Sequence, residues 1–344
     1  MGRDPCGVET EILLTSYSFW PRIGGIESVT EMLARRFREA GRLVSVVTET
    51  PYDGEEPFPY PVIRCPSPAT VVRLITSARC VLQNHPSLRL GWPLLGIGKP
   101  FVVAVQTWCS FSAVRGAAFR CLLRRVGCCV SISEAIAQHL PVSSVIVPNP
   151  YDEEIFWTTG EEKRTRDCVF VGRMVQEKGP LLFLEALDLL RQKGHHLSAT
   201  FVGDGPMLPE VKERVRQLGM EDWVEFEGFR VGEEVAQLMR KHRILVVPSI
   251  WQEPFGIVAV EGIACGCAVV GSEGGGLKAA IGPCGLTFPN GDARALAARI
   301  EELVLKPERF RELLAHAPAH LRPLTSRVIA ERYLQIIDDL LSVS

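Results

Sequence analysis

The sequence predicts an α/β protein built from two successive units, each an open parallel sheet covered by helices. Three observations carry this. Apolar runs of strand length alternate with amphipathic stretches of helix length along the whole chain. The alternation breaks near residue 150 and then restarts with the same grammar. A length of 344 residues suffices for two domains of ordinary size.

The first unit opens with the apolar run 12–15, followed by a polar and aromatic loop to Gly24 and Gly25. Val29, Leu33, Phe37 and Ala40 then share one helix face, and Gly41 stands where a helix-ending glycine belongs. Residues 44–48 read as the next strand, with further strands at 78–82, 101–105, 130–132 and 145–147. Pro57, Pro59, Pro61, Pro66 and Pro68 mark a long irregular segment. The second unit begins with a strand at 168–171 and a helix at 180–191, then a strand at 198–202 and a helix at 207–218. Strand 224–226, helix 232–241, strand 244–247, helix 258–265 and strand 268–270 follow, and a run of helices closes the pattern. Residues 1–150 and 151–326 are the expected domains, and the amphipathic helix 327–344 is expected to pack back across their junction.

Composition narrows the function classes. Hydrophobic residues make up 47% and charged residues 23%, a globular rather than a disordered balance. A net charge of −2 supplies no whole-molecule field for a polyanion, and no stretch interleaves aromatics with bases, so no nucleic-acid partner is expected. The 11 cysteines lack zinc-site spacings and read as reduced, mostly buried thiols. Cys265 and Cys267 lie in an apolar, helix-like stretch where a thiol acts as a small hydrophobe. Residues 1–11 carry charges and a proline instead of a secretory apolar run, Gly2 lacks the Ser or Thr of a myristoylation signal, and no apolar run approaches a membrane span. A cytoplasmic protein is expected.

In open parallel sheets, ligands sit beyond the carboxyl ends of the strands. The stretch from Pro248 to Glu261 is the most informative such place: a strand ends, a loop carries Glu253 at the mouth of a cleft, and a helix begins near Phe255 and carries Glu261. Free N–H groups and the helix dipole there make an anion site, with phosphate as the natural guest. Glu261 would meet a ribose diol. After strand 168–171, Arg173 and Lys178 lie five residues apart between Gly172 and Gly179, a turn able to straddle a diphosphate. The sequence Gly203-Asp204-Gly205-Pro206 lacks the third glycine of a dinucleotide fingerprint, which disfavours a nicotinamide enzyme.

With these landmarks go Gly24-Gly25, residues 130–134, Pro148-Asn149, Gly228, residues 264–266 and Gly274-Gly275-Gly276, in one order along nearly the whole chain. That order resembles the retaining glycosyltransferases of the family 4 type, with GT-B architecture: two facing Rossmann-like domains and an interdomain cleft. The resemblance implies sugar transfer from a nucleoside diphosphate donor such as a UDP- or GDP-sugar, with retention and no obligatory metal. The acceptor would be a hydroxyl of a glycan, a lipid-linked molecule or a small molecule. By the same resemblance Arg173 and Lys178 hold the diphosphate, Glu261 binds the ribose, and Phe255, Gly256 and Ile257 offer backbone N–H groups. Gly203, Gly25, Phe229 and Arg230 would lie near the donor, Gly24 near the acceptor, and Glu253 beside the transferred sugar. A sugar-nucleotide epimerase, a phosphorylase or a catalytically silent sugar-nucleotide binder would use the same scaffold.

The chain departs from that pattern in three places. Gln106 stands where many relatives have histidine and cannot carry a proton at neutral pH, yet can still hydrogen-bond a sugar hydroxyl. Pro150 replaces a glycine in the interdomain turn, and Ala279 stands near an expected glutamate. His85, after the strand at 78–82, is either a cleft contact or a structural histidine. Residues 115–125 form a basic amphipathic helix, either a solvated face or a contact for anionic lipid headgroups at the inner face of a membrane.

Overall fold

The computed structural model describes residues 10–111 and 113–343, with side chains for all of these but 113–115 and 343. The expectations for the N-terminal segment, Gly2 and Cys6, and for the Arg115 side chain, lie outside the described residues.

The first unit comprises the chain up to Pro150 together with residues from Ser326 onward. Its elements are β1 (Ile12–Ser16), α1 (Gly25–Glu39), β2 (Val44–Thr48), β3 (Val62–Arg64), α2 (Pro68–Ser77) and β4 (Cys80–Asn84). They continue with α3 (Leu88–Gly91), β5 (Phe101–Val105), α4 (Ala113–Arg125), β6 (Cys128–Ser131), α5 (Glu134–His139) and β7 (Val145–Ile146). The seven strands are all parallel, in the order β3-β2-β1-β4-β5-β6-β7. β1, β2, β4 and β5 are buried at every position, which is why they read as unbroken apolar runs rather than alternating ones. Val29, Leu33 and Phe37 of α1 face the sheet without exposed surface. The helix ends as its pattern predicts: Gly41 takes φ 79, and the Arg42 N–H reaches back to the Phe37 carbonyl at 3.0 Å.

The proline-rich segment is not all irregular. It contains the edge strand β3, and Ser67 caps α2 by accepting the Thr70 N–H at 3.2 Å with Pro68 at the first helical position. The prolines that suggested a loop are those a helix start and a short edge strand tolerate.

The second unit runs from Tyr151 to Thr325. It holds β8 (Arg166–Val171), α6 (Pro180–Gln192), β9 (Ala199–Val202), α7 (Leu208–Gln217), β10 (Val224–Gly228), α8 (Glu233–Lys241) and β11 (His242–Val247). It closes with α9 (Ile257–Ala264), β12 (Ala268–Ser272), α10 (Leu277–Ile281), β13 (Gly285–Phe288), α11 (Ala293–Leu305), α12 (Pro307–Ala315) and α13 (Ala317–Leu321). Its parallel order is β10-β9-β8-β11-β12-β13. β13 interrupts the run of helices expected after residue 270: four residues are long enough for one strand in a sheet and too few for a periodicity. Cys265 and Cys267 are buried, but they flank the turn at Gly266 (φ 76) that ends α9 instead of lying within a helix.

The last helix, α14 (Ser326–Val343), belongs to the first unit, where it packs on α1. Arg36 Nε donates to Ser326 Oγ at 2.7 Å, and Arg42 binds both Glu11 and Asp338. Tyr333 is 1% exposed. Among the described residues no helix is long and apolar enough to cross a membrane. In α4, Leu122 and Leu123 are buried while Arg124 and Arg125 are exposed, so those leucines face inward.

Replacing Tyr333 with Ala is expected to destabilise the first unit by about 3 kcal/mol, the loss typical of a buried large side chain. Urea unfolding measures it, and a loss below ~1 kcal/mol would show that α14 is not part of that core.

Candidate functional site

The strand order of the second unit reverses direction between β8 and β11. At such a point the loops leaving the two strands diverge to opposite faces and open a crevice at the carboxyl edge. The loop after β8 carries Arg173 and Lys178, and the loop after β11 carries Glu253. The fold brings Lys178 and Glu253 together: Nζ lies 2.6 Å from Oε1. The same oxygen accepts Ser249 Oγ–H at 2.5 Å, and Nζ sits 5.8 Å from the centre of the Trp251 ring. Glu253 was expected at the mouth of a cleft. It is instead 4% exposed, because a carboxylate with a cation and a hydroxyl at hand can be buried without being left unsolvated.

Glycines let the loops approach this closely. Gly179 has φ 67, and a Cβ there would collide with the Pro248 carbonyl oxygen. Gly203, expected at the donor, stands where the backbones of two loops come close: a Cβ on it would strike the Gly172 carbonyl oxygen. The Met174 N–H also donates to Asp204 O at 2.8 Å, and Ile250 N–H to Glu177 O at 2.9 Å. Beyond β12, Gly275 forms a bridge with Glu253, and Gly276 N–H donates to its carbonyl at 2.7 Å.

Asn290, in the loop after β13, locks the set. Its Oδ1 accepts Gly274 N–H at 2.9 Å, and its Nδ2 donates to the carbonyls of Ser249 (3.1 Å), Ile250 (3.3 Å) and Trp251 (2.9 Å). Sequence reading passed over Asn290 and Trp251 and gave Ser249 no role. Pro289-Asn290-Gly291-Asp292 signals only a turn.

Around this core the other expected residues take distinct positions. Arg173 is exposed, and its side chain has no partner among the described residues. α9 begins at Ile257, after Gly256 at φ 103, while Phe255 is buried. Ala259 N–H donates to the Gly256 carbonyl at 3.0 Å, while the N–H groups of Ile257 and Val258 come too early in the helix to find a carbonyl within it. Glu261 lies in α9, and burial pushes its carboxyl up to about 7, with the Asp152 carboxylate acting in the same direction. Arg230 follows β10, bonds to the Phe229 carbonyl at 3.0 Å and pairs with Glu227 at 3.4 Å, and the Phe229 ring is 54% exposed.

The first unit has its own reversal point, between β1 and β4. Gln106 donates to Asn84 Oδ1 at 2.7 Å, and Asn84 Nδ2 donates to Thr30 Oγ1 at 2.7 Å and to the Ile26 carbonyl at 3.0 Å. This chain ties β5 and β4 to the first turns of α1, which start at Gly24 and Gly25. Glu27 in that first turn accepts Ser18 Oγ–H at 2.5 Å. Gln106 is 4% exposed, and its Oε1 has no hydrogen-bond partner among the described residues. His85 takes φ 80 at the end of β4, and its Nδ1 accepts the Gln106 backbone N–H at 3.3 Å. Burial pushes its imidazole down to about 4.

Asn290→Ala is expected to speed amide hydrogen exchange in residues 249–253 and 274–276 at least tenfold while the core strands keep their protection. Hydrogen exchange read by mass spectrometry checks it, and unchanged protection in those loops would show that Asn290 does not hold them.

Residues 152–318 match the family model described as glycosyl transferases group 1. The chain is 36% identical over 160 residues to a D-inositol 3-phosphate glycosyltransferase of Rhodococcus erythropolis, covering 44% of this chain and 36% of that protein. In general it spans about a third to a half of the length of the curated relatives it matches. Among solved structures, a sucrose-phosphate synthase from Thermosynechococcus elongatus superposes with a TM-score of 0.81 at 20% identity, covering 97% of this chain and 100% of that one. Anabaena HepE in complex with UDP gives 0.79 at 18% identity, with 96% and 100% covered. At such identities the likeness establishes the fold, which is the GT-B fold expected from the sequence. It is through residues 152–318, the segment that holds the Lys178–Glu253 pair, that this chain is similar to the glycosyl transferases group 1 family.

Proposed function

We propose that the protein transfers a sugar from a nucleoside diphosphate donor to a hydroxyl acceptor, with retention at the anomeric carbon and no obligatory metal. The observation that carries this reading is the Lys178–Glu253 pair at the strand-order reversal, with Arg173, which has no side-chain partner among the described residues, on the same loop as Lys178, and α9 following the loop of Glu253. A diphosphate held against Arg173, Lys178 and the α9 amides gains negative charge as its bond to the sugar breaks. Two fixed cations stabilise that charge as it develops. The acceptor oxygen bonds to the anomeric carbon on the face the diphosphate leaves, and the acceptor proton passes to a diphosphate oxygen. Glu253 orients sugar hydroxyls or steadies the positive charge on the ring. Its Oε1 accepts hydrogen bonds from Lys178 and Ser249, which hold the carboxylate in place.

Glu261 receives the ribose hydroxyls, and Phe229 and Arg230 lie toward the base. In the first unit, the unpartnered Oε1 of Gln106 accepts a sugar hydroxyl, and His85 is a second contact. The match to glycosyl transferases group 1 supports sugar transfer, and the UDP bound to HepE makes UDP-sugars the first donors to test. The unbridged cysteines among the described residues fit a reducing compartment such as the cytoplasm. A catalytically silent binder is the second reading, favoured by Gln106 in the place of a histidine.

A panel of labelled nucleotide sugars, assayed for release of nucleoside diphosphate, separates the two readings: donor binding without turnover supports the silent one. For the active enzyme, Arg173→Ala and Lys178→Ala are each expected to lower turnover at least tenfold with the fold intact. Wild-type rates in folded variants would remove both residues from the mechanism.

Donor affinity is expected to depend on pH through Glu261. Burial pushes its carboxyl up to about 7, and ribose hydroxyls donate best to the ionised form. Affinity therefore rises from pH 6 to pH 8 and binding releases a proton. Calorimetry with UDP in buffers of different ionisation heat measures this, and Glu261→Gln should flatten the dependence. A flat wild-type profile would separate Glu261 from the ribose.

A further inference from the structure

A cavity of about 950 Å³ opens within the first unit where β1, β2, β3 and β4 end: Tyr17, Glu49, Cys65 and His85 follow those strands and line it. Nothing in the diphosphate machinery of the second unit uses it. Its lining has two characters. Tyr17, Trp92 and Phe119 present rings, and Tyr17 and Trp92 are 37% and 47% exposed. Arg22 and Arg89 present guanidinium groups.

The charges do not cancel. Glu49 pairs with Arg89 at 2.9 Å, yet the Arg89 side chain stays 83% exposed and keeps donors free. Arg22 is exposed and has no side-chain partner among the described residues. His85 adds no positive charge at neutral pH. Because its Nδ1 accepts the Gln106 N–H, its proton sits on Nε2, giving a hydrogen-bond donor in a fixed tautomer. One surplus cation, a second with spare donors and a neutral imidazole donor all lie over aromatic walls. That set matches an oxyanion carried next to a ring or another apolar face. Forked guanidinium donors bind such groups in pairs, and a neutral glycan would leave them unmatched.

We infer that this cavity binds an acceptor bearing a phosphate group, with Arg22 as the residue that selects for the charge. That the ligand is an acceptor rests on the sugar-transfer reading; its recognition through Arg22 does not. The phosphate belongs either to a soluble sugar phosphate or to a lipid-type phosphate ester.

Cys65 provides a reporter that needs neither donor nor turnover. It is exposed within the lining, and exposed Cys121 on α4, outside the lining, serves as the internal reference. Alkylation of Cys65 by iodoacetamide, normalised to Cys121, would be followed at rising concentrations of glucose, glucose 6-phosphate and decyl phosphate. A phosphate-bearing probe should protect Cys65 at a concentration at least tenfold below that of glucose. Arg22→Ala should erase the difference, while Arg173→Ala in the other unit should leave it unchanged. Stronger protection by glucose 6-phosphate assigns the soluble source, and stronger protection by decyl phosphate assigns the lipid type. Equal protection by glucose, no protection by any probe, or a phosphate preference that survives Arg22→Ala would overturn the inference. Loss of UDP binding alone would sink the transfer reading and leave this result standing.

Discussion

A carboxylate buried to 4% exposure has to be neutralised where it stands, and the architecture around Glu253 follows from that need. Lys178 supplies the charge and Ser249 the second hydrogen bond, on one and the same oxygen. The two partners come from different loops, so the pair holds only if the loops after β8 and β11 meet closely. Gly179 against Pro248, the Glu253–Gly275 bridge and the four hydrogen bonds of Asn290 provide that closeness. Breaking one member of such a buried pair costs more than the pair contributes, because the other is left charged and alone. The site is therefore rigid at its centre and open at Arg173.

The two units share a strand order but not a chemistry. Both reverse direction between the first and fourth strands of their sheets, and both place polar residues there. In the second unit those residues are ionic: Lys178 pairs with Glu253, and Arg173 is exposed. In the first, the inner residues form the neutral chain Gln106–Asn84–Thr30, and the arginines stand on the rim of the cavity. Neutral groups deep inside can be satisfied by hydrogen bonds alone, while cations kept at the rim remain solvated until a ligand arrives.

Much of this was legible before folding. The apolar runs of β1, β2 and β5, the α1 face of Val29, Leu33 and Phe37, and the glycine stop at residue 41 were all readable because they are local: each follows from periodicity or from one backbone conformation. β3, α2 and β13 were not, since three- and four-residue strands carry no period and prolines in 57–68 looked like a loop. Arg173, Lys178 and Glu253 were readable as charged residues in loops that follow strands, and Glu261 as a carboxylate on the helix after Phe255.

The sequence by itself determined the fold class, the places where strands end and the residue types that stand there, because these depend on patterns within a few residues of one another. Only the tertiary structure decided that Glu253 is buried against Lys178, that Gly203 serves a loop contact, that Asn290 ties loops some forty and sixteen residues away, and that α14 returns to the first unit. Each of those facts is a contact between segments distant in the chain, and partners of that kind are chosen by packing rather than by neighbours in sequence.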